Sequence, residues 1–273
     1  MSAQSVPVGE GVAEGLMERE RYIVFNRFNA RDGAGPRFEK RWADRKSSLK
    51  TLDGYTLSAP PPSMLNPEYD AGEPDYMSMT VWATKKNFNS WRTGYAFKEA
   101  HGGGSIGGFL SAVVGSAMVL KGPPAPAMWD ALLPIATAPD ASPIHLQGRD
   151  AEGKAVSDGS ASLPAETFVA MNRFTVIEGQ EAAFEARWAA RESILEQQPG
   201  FFAFYLMRRE GGARSKKFNY STLTVWSTRG AFEAWRDGPS KTGLRVGSPL
   251  ILEGSPSPIF WDGTLALESS IGA

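Results

Sequence analysis

The sequence predicts an α+β fold made of two tandem copies of one small unit, and three observations support this prediction. Asn26-Arg27-Phe28 returns as Asn172-Arg173-Phe174, at an offset of 146 positions. Each copy alternates short runs with strand-like and helix-like hydrophobic spacing. The 273 residues also exceed the usual size of one domain, so two domains, each with its own core, are expected.

The first strand and helix of the first copy carry an amide in an unusual place. Residues 22–28 alternate as a half-buried strand does, which puts Asn26 among apolar side chains on one face. Phe38 and Trp42 then mark the buried face of a helix that is predicted to end near residue 49. A second strand and a proline-rich loop follow, from residue 57 through residue 74.

The second part of the first copy joins a strand, a helix and a histidine. Residues 77–82 alternate, and Trp82 falls on the face that carries the polar residues. A helix capped by Thr84 and Gly94 is predicted next, and a short helical turn leads to His101. The run 124–133 is predicted to be a last strand, with prolines that suit an edge or a strand start.

The second copy repeats this order of elements with small changes of offset. The offset is 146 over the first strand and helix, 144 over the third strand and second helix, and 132 over the last strand. No histidine occurs in the second copy. Each copy therefore predicts a split βαβ arrangement, a four-stranded antiparallel sheet with two helices on one face.

Two such copies in one chain can bury each other's open sheet face. That face is apolar and needs cover, so the copies are expected to pack sheet to sheet as an intramolecular pseudo-dimer, which favours a monomer. The predicted parts are an N-terminal extension (1–20), a catalytic domain (21–138), a linker (139–165) and a degenerate domain (166–273).

Composition and charge exclude several classes of function. A net charge of −1 without basic clusters argues against a nucleic-acid partner, and the absence of cysteine excludes disulfides and thiolate sites. Residues 106–120 are apolar but shorter than the about 20 residues of a membrane span, so a helix covering a pocket is expected instead. No targeting segment is evident, and an intracellular, soluble protein of the cytoplasm or a plastid is expected.

Several motifs together resemble a known family. Asn26-Arg27-Phe28, Trp82 and the run from Asn89-Ser90-Trp91 to the FKEAH sequence that ends in His101 resemble the antibiotic biosynthesis monooxygenase (ABM) superfamily. Within it, they resemble the IsdG-type haem-degrading oxygenases, whose fold is a dimeric α+β barrel of ferredoxin-like units. The resemblance covers residues 21–137, with a weaker echo over 167–267. The whole chain resembles the green-algal members of this family.

The resemblance implies roles for four residues. His101 is expected to be the proximal ligand of haem iron, and Trp82 to press on the porphyrin and bend it. The amide of Asn26 is expected to donate a hydrogen bond to the distal ligand, and Arg45 to pair with a propionate. The implied substrate and cofactor is haem, with O2 and an external electron donor, either a protein or a small reductant.

Other interpretations of these residues remain open. The second copy keeps Asn172 and Trp226 without a histidine, so Asn26 and Trp82 also fit structural roles. His145, in the linker, is expected to be solvated. Two other functions fit the pattern: a cofactor-independent monooxygenase of an aromatic or polyketide substrate, and a haem-binding protein without catalysis.

Overall fold

The computed structural model describes eleven parts of the chain. They are residues 15–43, 52–53, 55–59, 73–95, 97, 115–136, 167–191, 193–210, 218–238, 251–263 and 267–268. Three predicted segments lie outside these parts: the linker, most of the proline-rich loop and most of the helical turn before His101.

The first half has the predicted order of strands and helices. Thr84 begins the second helix as predicted, since its hydroxyl accepts a hydrogen bond of 3.1 Å from the backbone N–H of Asn87. At the other end, the N–H of Gly94 donates to the carbonyl of Trp91 at 3.0 Å. The elements are β1 (Arg21–Phe28), α1 (Gly35–Ala43), β2 (Tyr55–Ala59), β3 (Tyr76–Trp82), α2 (Lys85–Thr93) and β4 (Ala125–Ala136).

The second half repeats these elements at the offsets seen in the sequence. Its first strand and helix begin and end 146 positions after β1 and α1, and its third strand and second helix follow β3 and α2 by 144. A short 3-10 helix, Leu195–Gln197, precedes the second strand. The elements are β5 (Thr167–Phe174), α3 (Glu181–Ala189), β6 (Phe201–Arg209), β7 (Tyr220–Trp226), α4 (Arg229–Asp237), β8 (Ser257–Gly263) and β9 (Leu267–Glu268).

All nine strands of the described residues belong to one antiparallel sheet. Its order is β8-β5-β7-β6-β4-β1-β3-β2-β9, so β4 and β6 join the two halves by backbone hydrogen bonds. β8 ends at Gly263 and β9 begins at Leu267, which limits their separation to about 14 Å along the chain. Because these strands lie at opposite ends of the order, the sheet curls towards a closed barrel, and the predicted α+β ferredoxin-like fold is confirmed.

The position of β4 decides between the two expectations for its prolines, an edge or a strand start. β4 is not an edge, because it pairs with β1 on one side and with β6 on the other. Pro126 lies opposite Asn26 in β1, but the pairing with β6 begins only at Trp129. The proline therefore stands at the strand start, where its missing N–H leaves no gap in the joint between the halves.

The inner face of the curled sheet is one core shared by both halves. Residues of β1, β3 and β4 pack there with residues of β5 to β8, as sheet-to-sheet packing predicts. The largest contributors are methionines, aromatic residues and branched aliphatic residues: Ile23, Phe25, Met77, Met79, Val81, Trp129, Val169, Met171, Tyr205, Met207, Leu223, Val225, Ile259 and Trp261.

A buried carboxylate fixes the outer side of the second half. Glu185 in α3 has no exposed surface, and its carboxylate accepts hydrogen bonds from Tyr220 at 2.6 Å and Arg208 at 2.8 Å. The backbone N–H of Met17 donates to the same carboxylate at 2.6 Å, so part of the N-terminal extension is pinned to the second half. Arg208 also pairs with Asp130 of β4 at 3.3 Å, across the joint.

No helix among the described residues has both the length and the hydropathy of a membrane-spanning helix.

Candidate functional site

Asn26 lies on the face of the first-half sheet that the helices cover. Ile23 and Phe25 of β1 point into the shared core, so the alternating position of Asn26 faces α1 and α2. The side chain is half-buried, and no hydrogen bond to its amide is found among the described residues. Buried amides normally have partners, so this amide is available to a ligand.

Two separate apolar clusters flank Asn26. The α2 cluster contains Tyr22, Val24, Trp82 and Phe88, and the α1 cluster contains Phe28, Phe38 and Tyr76 with smaller residues around them. Tyr22 and Val24 precede Asn26 on its face of β1, and Phe28 follows it. The amide therefore lies between the two clusters in the described part of the first half.

The corresponding layer of the second half is continuous. Phe168, Ala170 and Phe174, the counterparts of Tyr22, Val24 and Phe28, all belong to one cluster. Phe204 and Leu206 of β6 also belong to it and are buried. The described residues of the second half around Asn172 thus form one cluster, whereas the side chains of β2, which corresponds to β6, lie outside the described part of the first half.

Trp82 is placed by packing against α2. Its ring has 0% exposure and lies 5.4 Å from the ring of Trp91 and 6.0 Å from that of Phe88. The indole N–H donates to the hydroxyl of Thr80 at 3.0 Å. A ligand can reach this ring only where the surrounding side chains separate from it.

The second half holds Trp226 in almost the same geometry. Its ring also has 0% exposure and lies 5.3 Å from Trp235 and 6.0 Å from Phe232. Its indole nitrogen, unlike that of Trp82, has no hydrogen-bond partner among the described residues. Both halves therefore use a tryptophan at this position for packing. Any contact of Trp82 with a ligand would be a second role beside this structural one.

A carboxylate of the second half accepts hydrogen bonds from two residues of the first half. Glu210, directly after β6, accepts hydrogen bonds from the hydroxyl of Tyr22 and the ammonium group of Lys85. Burial alone would raise the pKa of Glu210, but these two hydrogen bonds and the charges of Lys85 and Arg19 lower it. Burial and the same hydrogen bond raise the pKa of Tyr22, so this phenol stays protonated at neutral pH.

The remaining predicted site residues lie outside the described parts of the chain. These are His101, the expected iron ligand, Arg45, the expected propionate partner, and His145 of the linker. The structure brings Asn26 and Trp82 to one face of the sheet, on neighbouring strands with Asn26 opposite Ser78. Phe38 and Phe88 are buried and Trp42 and Trp91 partly buried, which confirms them as core residues.

Sequence reasoning did not find Glu210 or Glu185. Glu185 carried a weak signal, because it repeats Glu39, and both carboxylates accept a hydrogen bond from a tyrosine of the third strand, Tyr220 and Tyr76. Glu210 carried none, because its partners are more than a hundred positions away along the chain.

Comparison with known proteins finds a similarity in the second half. Residues 167–241 match the model of the antibiotic biosynthesis monooxygenases. It is the half in which the weaker resemblance was expected. A stretch of 72 residues is 35% identical to the mycobilin-producing haem oxygenase of Mycobacterium tuberculosis. That stretch is 26% of this chain, and the chain covers 65% of the relative's length.

Two solved structures resemble almost the entire chain. One, from Fusobacterium nucleatum and assigned as a monooxygenase, has a TM-score of 0.60 at 9% identity and covers 94% of this chain and 98% of its own. The other, from Lactobacillus acidophilus and assigned likewise, has a TM-score of 0.55 at 11% identity and covers 92% and 100%. At these identities the likeness concerns the fold, and it agrees with a tandem arrangement in one chain.

The Glu210 contacts lead to a pH-dependent prediction. The folded-state pKa of Glu210 is lowered, so its stabilisation is present above the ordinary glutamate pKa of about 4.3 and is lost as the pH falls through the folded-state value. Glu210→Gln should lower the free energy of unfolding at pH 7 by about 1 kcal/mol or less. Chemical denaturation at pH 7 and at pH 3 measures the difference, which should shrink in acid.

Glu196→Gln, at an exposed glutamate of the 3-10 helix, is the matched control and should change neither value. Equal stability of the Glu210 variant and the unmodified chain at pH 7 would contradict the assignment.

Proposed function

We propose that this chain, which has the fold of the ABM-domain monooxygenases, is an IsdG-type haem oxygenase. It binds one haem in residues 21–138 and, with O2 and an electron donor, releases iron and an open-chain tetrapyrrole. The observation that carries the proposal is the amide of Asn26, which has no hydrogen-bond partner among the described residues and lies between two apolar clusters. The FKEAH motif supplies a histidine in the same half.

The described residues fit a flat, apolar substrate. Aromatic rings lie on both sides of Asn26 along the sheet, with Trp82, Phe88 and Tyr22 under α2 and Phe28 and Phe38 under α1. Burial of a porphyrin against such surfaces contributes about 25 cal/mol per Å² of apolar area, which amounts to several kcal/mol for a few hundred Å². The match of 72 residues to a mycobacterial haem oxygenase supports the same substrate.

Each site residue has a distinct task in this proposal. When bound, haem supplies the redox-active iron and the meso carbon that is oxidised. His101 provides a neutral imidazole nitrogen as the iron ligand, and Arg45 pairs with a propionate. The Asn26 amide donates a hydrogen bond on the opposite side of the macrocycle, and Trp82 forms an apolar wall that favours a bent porphyrin.

The second half has a supporting task. It buries the inner face of the first-half sheet, as the partner subunit does in a dimeric barrel, and its Glu210 holds Tyr22 within the α2 cluster. The second half contains no histidine. We therefore expect one haem per chain, because only the first half binds it. We also expect a monomer, because the second half covers the sheet face that a partner subunit would cover. A specific relation to green-algal haem oxygenases stays a prediction.

Two other functions give different results in the same assays. A cofactor-independent monooxygenase of an aromatic substrate would use His101 as a base and show no stoichiometric haem spectrum. A sequestering protein would show the spectrum but would not degrade haem.

The histidine assignment can be tested by replacement. His101→Ala should remove the Soret shift of added haem and reduce turnover to background, because the iron loses its protein ligand. His145→Ala is the matched control, since it is the one other histidine of the chain, and it should change neither value. Absorbance titration and the rate of haem decay measure both. Unchanged spectra and turnover in the His101 variant would remove the ligand assignment.

The repeat offers a matched pair for the asparagine. Asn26→Ala should slow haem decay by about tenfold or more, the effect of removing one preorganised hydrogen-bond donor, while haem affinity changes little. Asn172→Ala should leave the decay rate unchanged, because Asn172 lies in the second half, which is not proposed to bind haem. Single-turnover decay of the haem complex measures the rate. Equal rates for the two variants would favour a purely structural asparagine in both halves.

A further inference from the structure

The second half has a cavity of its own, apart from Asn26. It has a volume of about 220 Å³ and lies between the end of α3, the 3-10 helix Leu195–Gln197 and the last residues of β4. Its walls include Leu133, Trp188, Arg191, Ser193, Leu195 and Phe204. Both halves of the chain therefore form it, since β4 belongs to the first half.

Arg191 brings a positive charge without a counter-ion to this cavity. Its guanidinium carbon lies 4.7 Å from the centre of the Trp188 ring, and its Nε is buried with no hydrogen-bond partner. No carboxylate pairs with Arg191 among the described residues. Burial lowers the pKa of this guanidinium, and no acidic group offsets the effect.

A partly buried, unpaired guanidinium favours the binding of an anion. Taking a guanidinium out of water without a partner costs free energy, and a carboxylate that accepts two parallel N–H···O bonds offsets this cost. Glu20 also lines the cavity, but it is exposed and makes no ion pair with Arg191. Glu20 therefore leaves the guanidinium open to an external anion.

The other walls are apolar and aromatic. Leu195 and Phe204 are buried, and the Phe204 ring stacks on that of Trp188 at 5.8 Å. The indole N–H of Trp188 is a buried donor without a partner among the described residues. A ligand that fits these walls combines a flat apolar body with hydrogen-bond acceptors at one end.

The backbone of β4 is strained beside the cavity. Leu133 has a φ of 48°, the one positive value at a non-glycine position among the described residues, and the pairing with β6 shifts register between Leu132 and Ile135. Such a bulge bends a strand away from its neighbour and often occurs beside binding sites. Here it places Leu133 and Ile135 on the cavity wall.

We propose that this cavity is a second binding site, for a small single-ring carboxylate whose carboxylate group pairs with Arg191 and whose ring lies against Leu195 and Phe204. A cavity of this volume, about 220 Å³, accommodates one aromatic ring with its carboxylate. The site is distinct from the proposed haem site and does not depend on it.

Sodium benzoate is the probe for this site, and isothermal titration of the full chain is the measurement. The unmodified chain should bind about one equivalent in the micromolar to millimolar range, and benzyl alcohol, which lacks the charge, should bind about tenfold or more weaker. Arg191→Gln should weaken benzoate binding by about tenfold or more. Arg187→Gln, at an exposed arginine of α3, should leave benzoate binding unchanged.

A second variant tests the cavity without touching the charge. Ala189→Trp places a large ring at an exposed wall residue and should abolish benzoate binding while far-UV circular dichroism stays as in the unmodified chain. The proposal is overturned if the unmodified chain binds no benzoate at about 10 mM, if Ala189→Trp binds it normally, or if the Arg191 and Arg187 variants behave alike. Because no haem is added, these outcomes are independent of the haem assays.

Discussion

The burial of two apolar sheet faces against each other is the constraint on which the rest of this structure depends. A four-stranded sheet with helices on one side leaves its other side apolar, and that side must be covered. Here the cover is intramolecular: Met79 and Val81 of the first half share a core with Val169 and Leu223 of the second. The hydrogen-bonded pairing of β4 with β6 locks the two halves in register. Neither half can therefore lose its partner without exposing this core.

This constraint decides where a ligand can bind. The inner face of the sheet is filled by side chains from both halves, so binding is left to the layer between sheet and helices. In that layer, the described residues of the first half place the Asn26 amide between two apolar clusters, and those of the second half place Asn172 beside a single cluster. We propose that the first half carries the chemistry and that the second half supports it, although residues 167–241 are the part that matches the model of the antibiotic biosynthesis monooxygenases.

The conserved geometry of the two tryptophans shows how function can be built on a structural position. Trp82 and Trp226 have the same burial and nearly the same distances to the rings of the following helix. What distinguishes Trp82 is its neighbourhood: a hydrogen bond to Thr80 and, through Tyr22, a link to Glu210 of the other half. The ion pair of Glu210 with Lys85 ties the second half to the start of α2, and thereby to the wall of the proposed site.

Local patterns predicted most of the fold, because the elements are defined by short-range spacing. The alternation in β1 and β3, the caps Thr84 and Gly94, and the repeat offsets all agree with the structure. Long-range features could not be predicted in this way. The joint of β4 with β6, the strand β9 and the contacts of Glu185 and Glu210 depend on residues far apart in the chain. Of the predicted site, Asn26 and Trp82 share one face of the sheet, while His101 and Arg45 lie outside the described residues and stay predictions.

The most direct test of the haem-oxygenase proposal is an absorbance titration of the chain with haem, followed by addition of ascorbate in air. The account predicts a Soret band that saturates at one equivalent and then decays as iron and an open-chain tetrapyrrole appear. A titration without a saturating band would contradict haem binding, and a stable band under reductant and oxygen would contradict haem degradation.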